Sequence, residues 1–201
     1  MEHDVPYSKS IFVNCPFDRA YSPLFDAMIF AVTACGYIPR SALERGSIDE
    51  PRLERLTRAL FSSRYSIHDL SRCTGEGIDN LARLNMPLEL GMAMACKLLA
   101  LPGRQHDWLV LVPSGHAFRR FISDLSGYDP AEHDGSTSSL VAQVVLWMSS
   151  LENDGQLPKP EHVLGGLPNF EDALRHLRAE WKPAEPPFRD VVLMASAHKP
   201  A

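Results

Sequence analysis

Apolar positions along the chain follow two periods, and these predict alternating strands and helices. Short, nearly continuous apolar runs at residues 10–14, 37–43, 65–70 and 108–112 are typical of strands buried in a parallel sheet. Helical spacing of apolar residues recurs at 22–36, 50–63, 86–100 and 138–151. A shorter helical piece is expected at 116–125, and the Gly/Pro/Asp-rich loop at 126–137 has room for a short further strand.

This alternation predicts an α/β fold with a central parallel sheet of about five strands and helices on both faces. We expect residues 8–151 to form this domain. Residues 152–182 are expected to form a C-terminal helical extension packed on it, with one or two helices. The Pro-rich segment 183–201 is expected to be an extended, flexible tail. Ligands of such sheets bind beyond the carboxyl ends of the strands, so candidate chemistry is sought there.

Charge and composition narrow the partner classes. The formal net charge of the 201 residues is -5, and no basic stretch stands out, so we expect no direct DNA binding. No apolar run approaches the roughly 18 residues that span a bilayer, and residues 1–10 lack the apolar core of a signal peptide. We therefore expect a cytoplasmic protein. The 4 cysteines include no C-x-x-C pair, which argues against a metal site or a disulfide framework.

The first predicted strand ends in the sequence NCPFDRAY. Asn14 supplies an amide and Asp18 a carboxylate, while Phe17 and Tyr21 supply flat apolar surfaces. An aromatic ring beside an amide can hold a nucleobase or a nicotinamide ring. A strand-to-helix turn capped by an Asx side chain is the alternative interpretation of the same residues. Neither G-x-G-x-x-G nor a Walker loop occurs, which disfavours dinucleotide binding of the Rossmann kind and P-loop chemistry.

The third predicted strand ends in IHDLSR. His68 and Asp69 alternate across the sheet, so one of the two is expected to face a ligand. Ser71 and Arg72 could contact a ribose or a phosphate, and Arg40 at the end of the second strand could contact a phosphate. The alternative is structural, with Asp69 capping the loop and His68 semi-buried and hydrogen-bonded. His106, His116 and His133 fall in predicted loops and are expected to be solvated.

Glu89 is the most informative residue, because it is an acid within an apolar helical segment. If Asn85 starts the helix, Glu89 lies one turn further on, and Pro87 fits the first turn. The apolar neighbours Met86 and Leu88 favour partial burial, which would raise the pKa of the Glu89 carboxyl. Such a group can act as a nucleophile or stabilise a sugar cation while a glycosidic bond breaks. The alternative is a solvated first-turn glutamate that complements the helix dipole.

Taken in order, NCPFD, IHDLSR and NMPLELG resemble motifs of the superfamily that joins nucleoside 2-deoxyribosyltransferases with Toll/interleukin-1-receptor-like (TIR-like) domains, and a bacterial nucleotide-binding branch of it in particular. The resemblance covers about residues 8–150. It implies a flavodoxin-like three-layer core. It also implies that Glu89 is the catalytic residue. His68-Asp69 departs from the Ser/Thr-rich strand end that is usual in TIR-like proteins. The residues that the resemblance places around a base or nicotinamide pocket, or that the strand ends suggest, are Asn14, Pro16, Phe17, Asp18, Tyr21, Arg40, Asp69, Ser71, Arg72, Asn85 and Met86.

The resemblance implies an enzyme that cleaves the N-glycosidic bond of a nucleotide, with NAD as the expected substrate and no separate cofactor. A homo-oligomer, a role in bacterial anti-phage defence and a partner protein of a defence system are implied in the same way. The first alternative is a non-catalytic module that binds a nucleotide or a nucleotide-derived signal and acts through self-association or a partner. The second alternative is a plain interaction domain without a small-molecule site.

Overall fold

The computed structural model describes residues 5–44, 49–72, 84–99, 104–115, 117–152 and 155–200. Its centre is a sheet of five parallel strands: β1 (Ser10–Asn14), β2 (Ile38–Ser41), β3 (Tyr65–Asp69), β4 (Asp107–Pro113) and β5 (Ala131–His133). The strands lie in the order β2-β1-β3-β4-β5, which is the flavodoxin-like order. The predicted α/β fold with a parallel sheet of about five strands is confirmed.

Helices cover both faces of the sheet. They are α1 (Ser22–Ala34), α2 (Arg52–Phe61), α3 (Asn85–Leu99), α4 (Thr137–Ser149), α5 (Pro160–Trp181) and α6 (Phe188–His198). Alternate residues of β1 face opposite sides, as a strand requires. Ile11 and Val13 pack in the core formed with α1, α4, α5 and α6, whereas Phe12 packs in the core formed with α2 and α3. The fold is therefore a three-layer sandwich, and α3 lies on the face that α2 also covers.

The register of the strands aligns their polar carboxyl ends. Asn14 of β1 lies beside His68 of β3, and Asp69 lies beside Leu111 of β4. Because all five strands are parallel, these residues and His133, the last residue of β5, meet at one edge of the sheet. The polar residues of three separate segments thus reach the same end of the molecule.

The C-terminal part differs from its sequence-based expectation. Residues 160–181 form one continuous helix, and the expected extended tail contains α6. Phe188, Val191 and Ala195 of α6 are buried at helical spacing in the core shared with α1 and α5, so the prediction of an extended tail was wrong for residues 188–198. Arg178 of α5 also forms a two-bond ion pair with the buried Asp26 of α1, at 2.6 and 2.9 Å. No helix in the described parts of the chain has the length and apolar character needed to cross a bilayer.

Candidate functional site

Four of the polar side chains that are buried at the carboxyl edge of the sheet form hydrogen-bond networks. Asn14, His68, Asp69 and His133 are each no more than 2% exposed. Strand alternation divides them into two hydrogen-bond networks on opposite faces. Asp69 and His133 belong to one network, and Asn14 and His68 belong to the other. Buried polar groups are normally satisfied by partners, so each network can be followed to its end.

The first network centres on the carboxylate of Asp69. Its Oδ2 accepts a hydrogen bond from the Tyr21 hydroxyl at 2.6 Å and lies 3.0 Å from Nε2 of His133. Its Oδ1 accepts one from the backbone N–H of Ser71 at 2.7 Å. Burial and the neighbouring Asp69 raise the pKa of Tyr21, so this phenol stays protonated as the donor. The carboxylate therefore ties together the start of α1, the end of β5 and the loop after β3.

Ser71, His133 and Asp69 have the residue types of a catalytic triad without its geometry. Ser71 Oγ lies 3.2 Å from Nε2 of His133, the same nitrogen that faces Asp69. The other nitrogen, Nδ1, accepts the backbone N–H of Gly135 at 3.2 Å. In a working triad, the acid and the serine contact opposite nitrogens of the histidine, so that it can take the serine proton. The cluster is a structural clamp that also holds Asp69 in place, as the capping interpretation anticipated.

We expect Asp69→Asn to lower the free energy of unfolding by about 1–3 kcal/mol, because one of three buried donors would then face an amide N–H instead of an oxygen. Chemical denaturation followed by circular dichroism measures this loss. Asp172→Asn, on the exposed surface of α5, is the matched control and should change stability by less than about 0.5 kcal/mol. Equal stabilities of the two variants would show that Asp69 is not a clamp.

The second network is a chain of side chains across β1, β3 and the start of β4. Nδ1 of His106 donates to the carbonyl of Ser63 at 2.9 Å, so its Nε2 must accept from the hydroxyl of Ser66, at 2.9 Å. The Ser66 oxygen in turn accepts Nε2–H of His68 at 2.8 Å. Nδ1 of His68 then accepts from the amide of Asn14 at 2.9 Å. The donor and the acceptor of each of these hydrogen bonds are therefore determined, and both histidines are neutral.

This series of hydrogen bonds fixes the orientation of the Asn14 amide. One amide N–H of Asn14 goes to His68, and the other donates to the carbonyl of Met86 at 3.0 Å. The carbonyl oxygen of Asn14 is therefore the atom left to accept a hydrogen bond from a ligand. The bond to Met86 also ties the first turn of α3 to the end of β1. Glu89 lies three residues beyond Met86 on α3, so the same contact helps to position its side chain.

The structure predicts that His68 does not titrate in the physiological range. Burial, assisted by His106, lowers the pKa of His68 to about 3. We expect its ring ¹⁵N chemical shifts to stay those of the neutral Nε2–H tautomer from pH 8 to pH 5. A change in the His68 chemical shifts between pH 7 and pH 6 would contradict the hydrogen-bond directions that we assign to the second network.

Glu89 differs from both networks because one of its buried carboxyl oxygens has no hydrogen-bond partner among the described residues. The residue is 7% exposed, and its Oε2 atom is buried and has no partner among the described residues. Burial raises the pKa of Glu89 to about 7, with Arg52 at the start of α2 acting in the opposite direction. The predicted partial burial of this acid is confirmed. A buried, unpaired carboxyl costs stability, and such groups are concentrated at functional sites.

Cys15 shows that Glu89 and Asp69 share one neighbourhood. It directly follows Asn14 and is 2% exposed. Burial raises the pKa of the Cys15 thiol, and the negative charges of Asp69, Glu89 and Asp18 raise it further, in that order. Its thiol therefore lies within electrostatic range of carboxyl groups on both faces of the sheet edge. A thiol in this setting is protonated, so Cys15 acts here as a small packed side chain and not as a nucleophile.

The loops after β1 and β3 are joined by an ion pair. Arg72 donates from Nε and Nη2 to the two oxygens of Asp18 at 3.1 and 3.2 Å, and Asp18 also accepts the backbone N–H of Tyr21 at 3.0 Å. Phe17 is 38% exposed and packs edge-on against Phe25, with ring centroids 5.5 Å apart. Phe17 therefore offers part of its ring surface to solvent beside the ion pair.

The other residues that the sequence predicted for the site differ in burial and in their distance from it along the fold. Pro16 is buried after Cys15, and Asn85 is exposed at the start of α3. Arg40 forms an ion pair with Glu44, with Nη2 2.7 Å from Oε2. Arg40 lines a cavity of about 1070 Å³ between β2, α2 and α6, and Glu89 does not line this cavity. Most of the polar loop that was predicted between β3 and α3, together with Cys73 and His116, lies outside the described residues.

His133 and His106 were misjudged from sequence. Both were expected to be solvated, but they are 2% and 5% exposed. The signal for His133 was weak because β5 is only three residues long and lies in a loop-like stretch.

Across the described ranges, no group of three or more His, Cys, Asp or Glu side chains has the geometry of a metal site. A comparison with protein-family models, with curated proteins and with solved structures finds no match to the chain.

Proposed function

We propose that the protein cleaves an N-glycosidic bond of a nucleotide, with Glu89 as the catalytic residue. The observation that carries this proposal is the buried, unpartnered carboxyl of Glu89 at the carboxyl edge of the sheet. With a pKa raised to about 7, Glu89 is partly ionised at neutral pH and becomes a stronger base than an ordinary carboxylate. Because Oε2 accepts no hydrogen bond from the described residues, its negative charge is not offset by a donor and can stabilise a developing cation.

The step proposed for Glu89 balances in electrons and atoms. As the bond between the ribosyl C1′ and the base nitrogen breaks, the base leaves with the bonding pair and C1′ becomes cationic. The Glu89 carboxylate either stabilises this cation or forms an ester with C1′. Water then supplies hydroxide to C1′ and a proton to the solution, which regenerates the carboxylate. A nicotinamide that leaves from NAD is neutral and needs no protonation, which makes NAD a suitable substrate.

Other residues at the edge have assigned tasks in this proposal. The carbonyl oxygen of Asn14, which accepts no hydrogen bond within the described ranges, would accept one from a ribose hydroxyl or from the N–H of a carboxamide. The exposed part of the Phe17 ring stacks on the leaving base. Arg72, held by Asp18, contacts a phosphate oxygen. The substrate NAD, activity in an assembled state and a role in anti-phage defence come from the resemblance of the three motifs to TIR-like proteins.

Chromatography of products tests the proposal. Concentrated protein is incubated with NAD, NADP and a panel of nucleosides and nucleotides, and free base is quantified. Release of nicotinamide or of a nucleobase supports the proposal and names the substrate. No release from any member of the panel, from protein at high concentration, would refute it.

A binding module is the second candidate, and one observation favours it. Glycosidases commonly use two carboxyl groups, but the three donors on Asp69 leave that neighbouring carboxylate no acid–base role. In this candidate Glu89 accepts a ribose hydroxyl and breaks no bond. A nucleotide at a hundredfold excess over its dissociation constant would then stabilise the protein by about 2.7 kcal/mol without forming product. Thermal denaturation with the same panel distinguishes this candidate from catalysis.

A further inference from the structure

Helix α3 is apolar on its solvent side as well as on its buried side. Met86, Leu90 and Ala93 pack inward, as expected for a helix on a sheet. Most surface helices carry charged residues on the opposite side, and α2 does so with Arg52, Glu54 and Arg58. On α3 the opposite side instead carries leucines: Leu84, which directly precedes the helix, and Leu88, Leu98 and Leu99 are 71%, 56%, 74% and 68% exposed. A helix that is apolar all round is normally covered by another element.

The solvent side of α3 has the spacing of a helix-packing seam. We define the outer seam as Leu84, Leu88, Gly91, Ala95 and Leu98. Successive members are 4, 3, 4 and 3 residues apart, which is the a/d spacing at which one helix packs along another. The two small residues lie in the middle, and a Cβ added at Gly91 would meet nothing within 4 Å. Small residues at the centre of a seam let two helix backbones approach closely.

The order of residues makes the outer seam complementary to itself in the antiparallel direction. If Gly91 of one copy faces Gly91 of another, Leu84 faces Leu98 and Leu88 faces Ala95. Large residues then contact large residues at both ends, and large residues contact small ones next to the centre. An interface between identical subunits around a two-fold axis requires this kind of self-complementarity. In a parallel pair each residue would face its own copy. The leucines would then contact leucines, and a gap would remain where Gly91 faces Gly91 and Ala95 faces Ala95.

Charge does not oppose this pairing. Glu89 and Lys97 are the two charged residues of α3. Glu89 is buried inside the fold, and Lys97 is bonded to Asp107 at 2.8 Å near the C-terminal end of the helix. Two copies of the seam therefore meet without like charges facing one another.

We propose that the outer seam of α3 binds the outer seam of a second copy of this chain, in an antiparallel pair whose two-fold axis passes close to Gly91. The inference does not depend on the proposed function. A different protein as the occupant is one of the outcomes that the tests below distinguish.

Sedimentation velocity on the full chain tests the dimer. We expect a dimer at micromolar concentration, and we expect Leu88→Glu to weaken dimerisation on the order of 100-fold, since two buried carboxylates would enter the interface. Leu146→Glu on α4, a leucine of matching 57% exposure, should leave the dimer intact. Circular dichroism checks that both variants are folded. A parent chain that stays monomeric, as it would if another protein occupied the seam, or a Leu88→Glu variant that still forms the dimer, would overturn the proposal.

A cysteine at the proposed axis tests the geometry. In a Cys73→Ser, Cys96→Ser background, Gly91→Cys should form a disulfide between two copies under mild oxidation, because Cα atoms less than about 7 Å apart can be bridged. Gly165→Cys, at an exposed glycine of α5, should not form one at the same protein concentration. Equal crosslinking of the two variants, or none at Gly91→Cys, would rule out an antiparallel pair about this residue.

Discussion

Replacing Glu89 with Gln is expected to reduce release of base by on the order of 1000-fold while leaving the fold intact. Glutamine keeps the size and shape of the side chain but cannot carry a negative charge. The developing ribosyl cation would then lose the ionised group that faces it in the proposed mechanism. Steady-state rates of base release, measured with the substrate that the panel identifies, give the size of the loss.

Two comparisons make this result specific. Glu161→Gln changes an exposed acid in the first turn of α5 and should keep the parent rate within about twofold. Equilibrium binding of the substrate to Glu89→Gln should stay within about tenfold of the parent, because an interaction made mainly in the transition state is the one removed. A Glu89→Gln variant with the parent rate would remove Glu89 from the mechanism, whatever the substrate is.

The same variant is expected to be more stable than the parent at alkaline pH. Burial raises the pKa of Glu89 to about 7 in the folded state, against an ordinary value near 4.5 in the unfolded chain. Between these values the folded protein binds more protons than the unfolded chain, so the parent loses stability as the pH rises. The loss amounts to about 3 kcal/mol and is complete above pH 7. Glu89→Gln avoids it, so the two proteins should be equally stable near pH 4 and differ by about 3 kcal/mol at pH 8.

Thermal unfolding at several pH values measures this difference. A gain of about 3 kcal/mol corresponds to about 6–12 °C for a chain of this size. The neutral histidines His68 and His106 have lowered pKa values and act in the opposite direction, costing stability as the pH falls. They are common to parent and variant, so the difference between the two isolates Glu89. A difference that is the same at pH 4 and pH 8 would show that the Glu89 carboxyl is not held in a desolvating site.

The order of strands and helices could be predicted because it depends on local patterns. Short apolar runs predicted β1, β3 and β4, and the run of β4 was the clearest of them. Other elements had weaker local signals. The three residues of β5 read AEH and form no apolar run, so the sequence indicated only that a short strand could fit there. Helix α6 was missed, because it follows several prolines that suggested an extended chain. Both elements are stabilised by packing against residues distant in sequence, which a pattern within one segment does not contain.

Glu89 could be predicted as a buried acid because its environment comes from its own helix. The environments of His133 and His106 come from elsewhere. His133 is bonded to Asp69, 64 residues earlier, and His106 to Ser66, 40 residues earlier. These partners become neighbours only when the parallel strands are in register. The two hydrogen bonds of the Asn14 amide, to His68 and to the carbonyl of Met86, likewise join residues that are distant in sequence.

The most direct test of the account is the pH dependence of base release by the parent protein, measured as kcat/KM from pH 5 to pH 9. If Glu89 acts as a carboxylate with a pKa of about 7, kcat/KM should fall about tenfold per pH unit below pH 7 and be constant above it. Glu89→Gln should retain only a low, pH-independent residual rate. A parent rate that does not change across this range, or a pH profile that Glu89→Gln shares, would contradict the assignment of Glu89 as the reacting group.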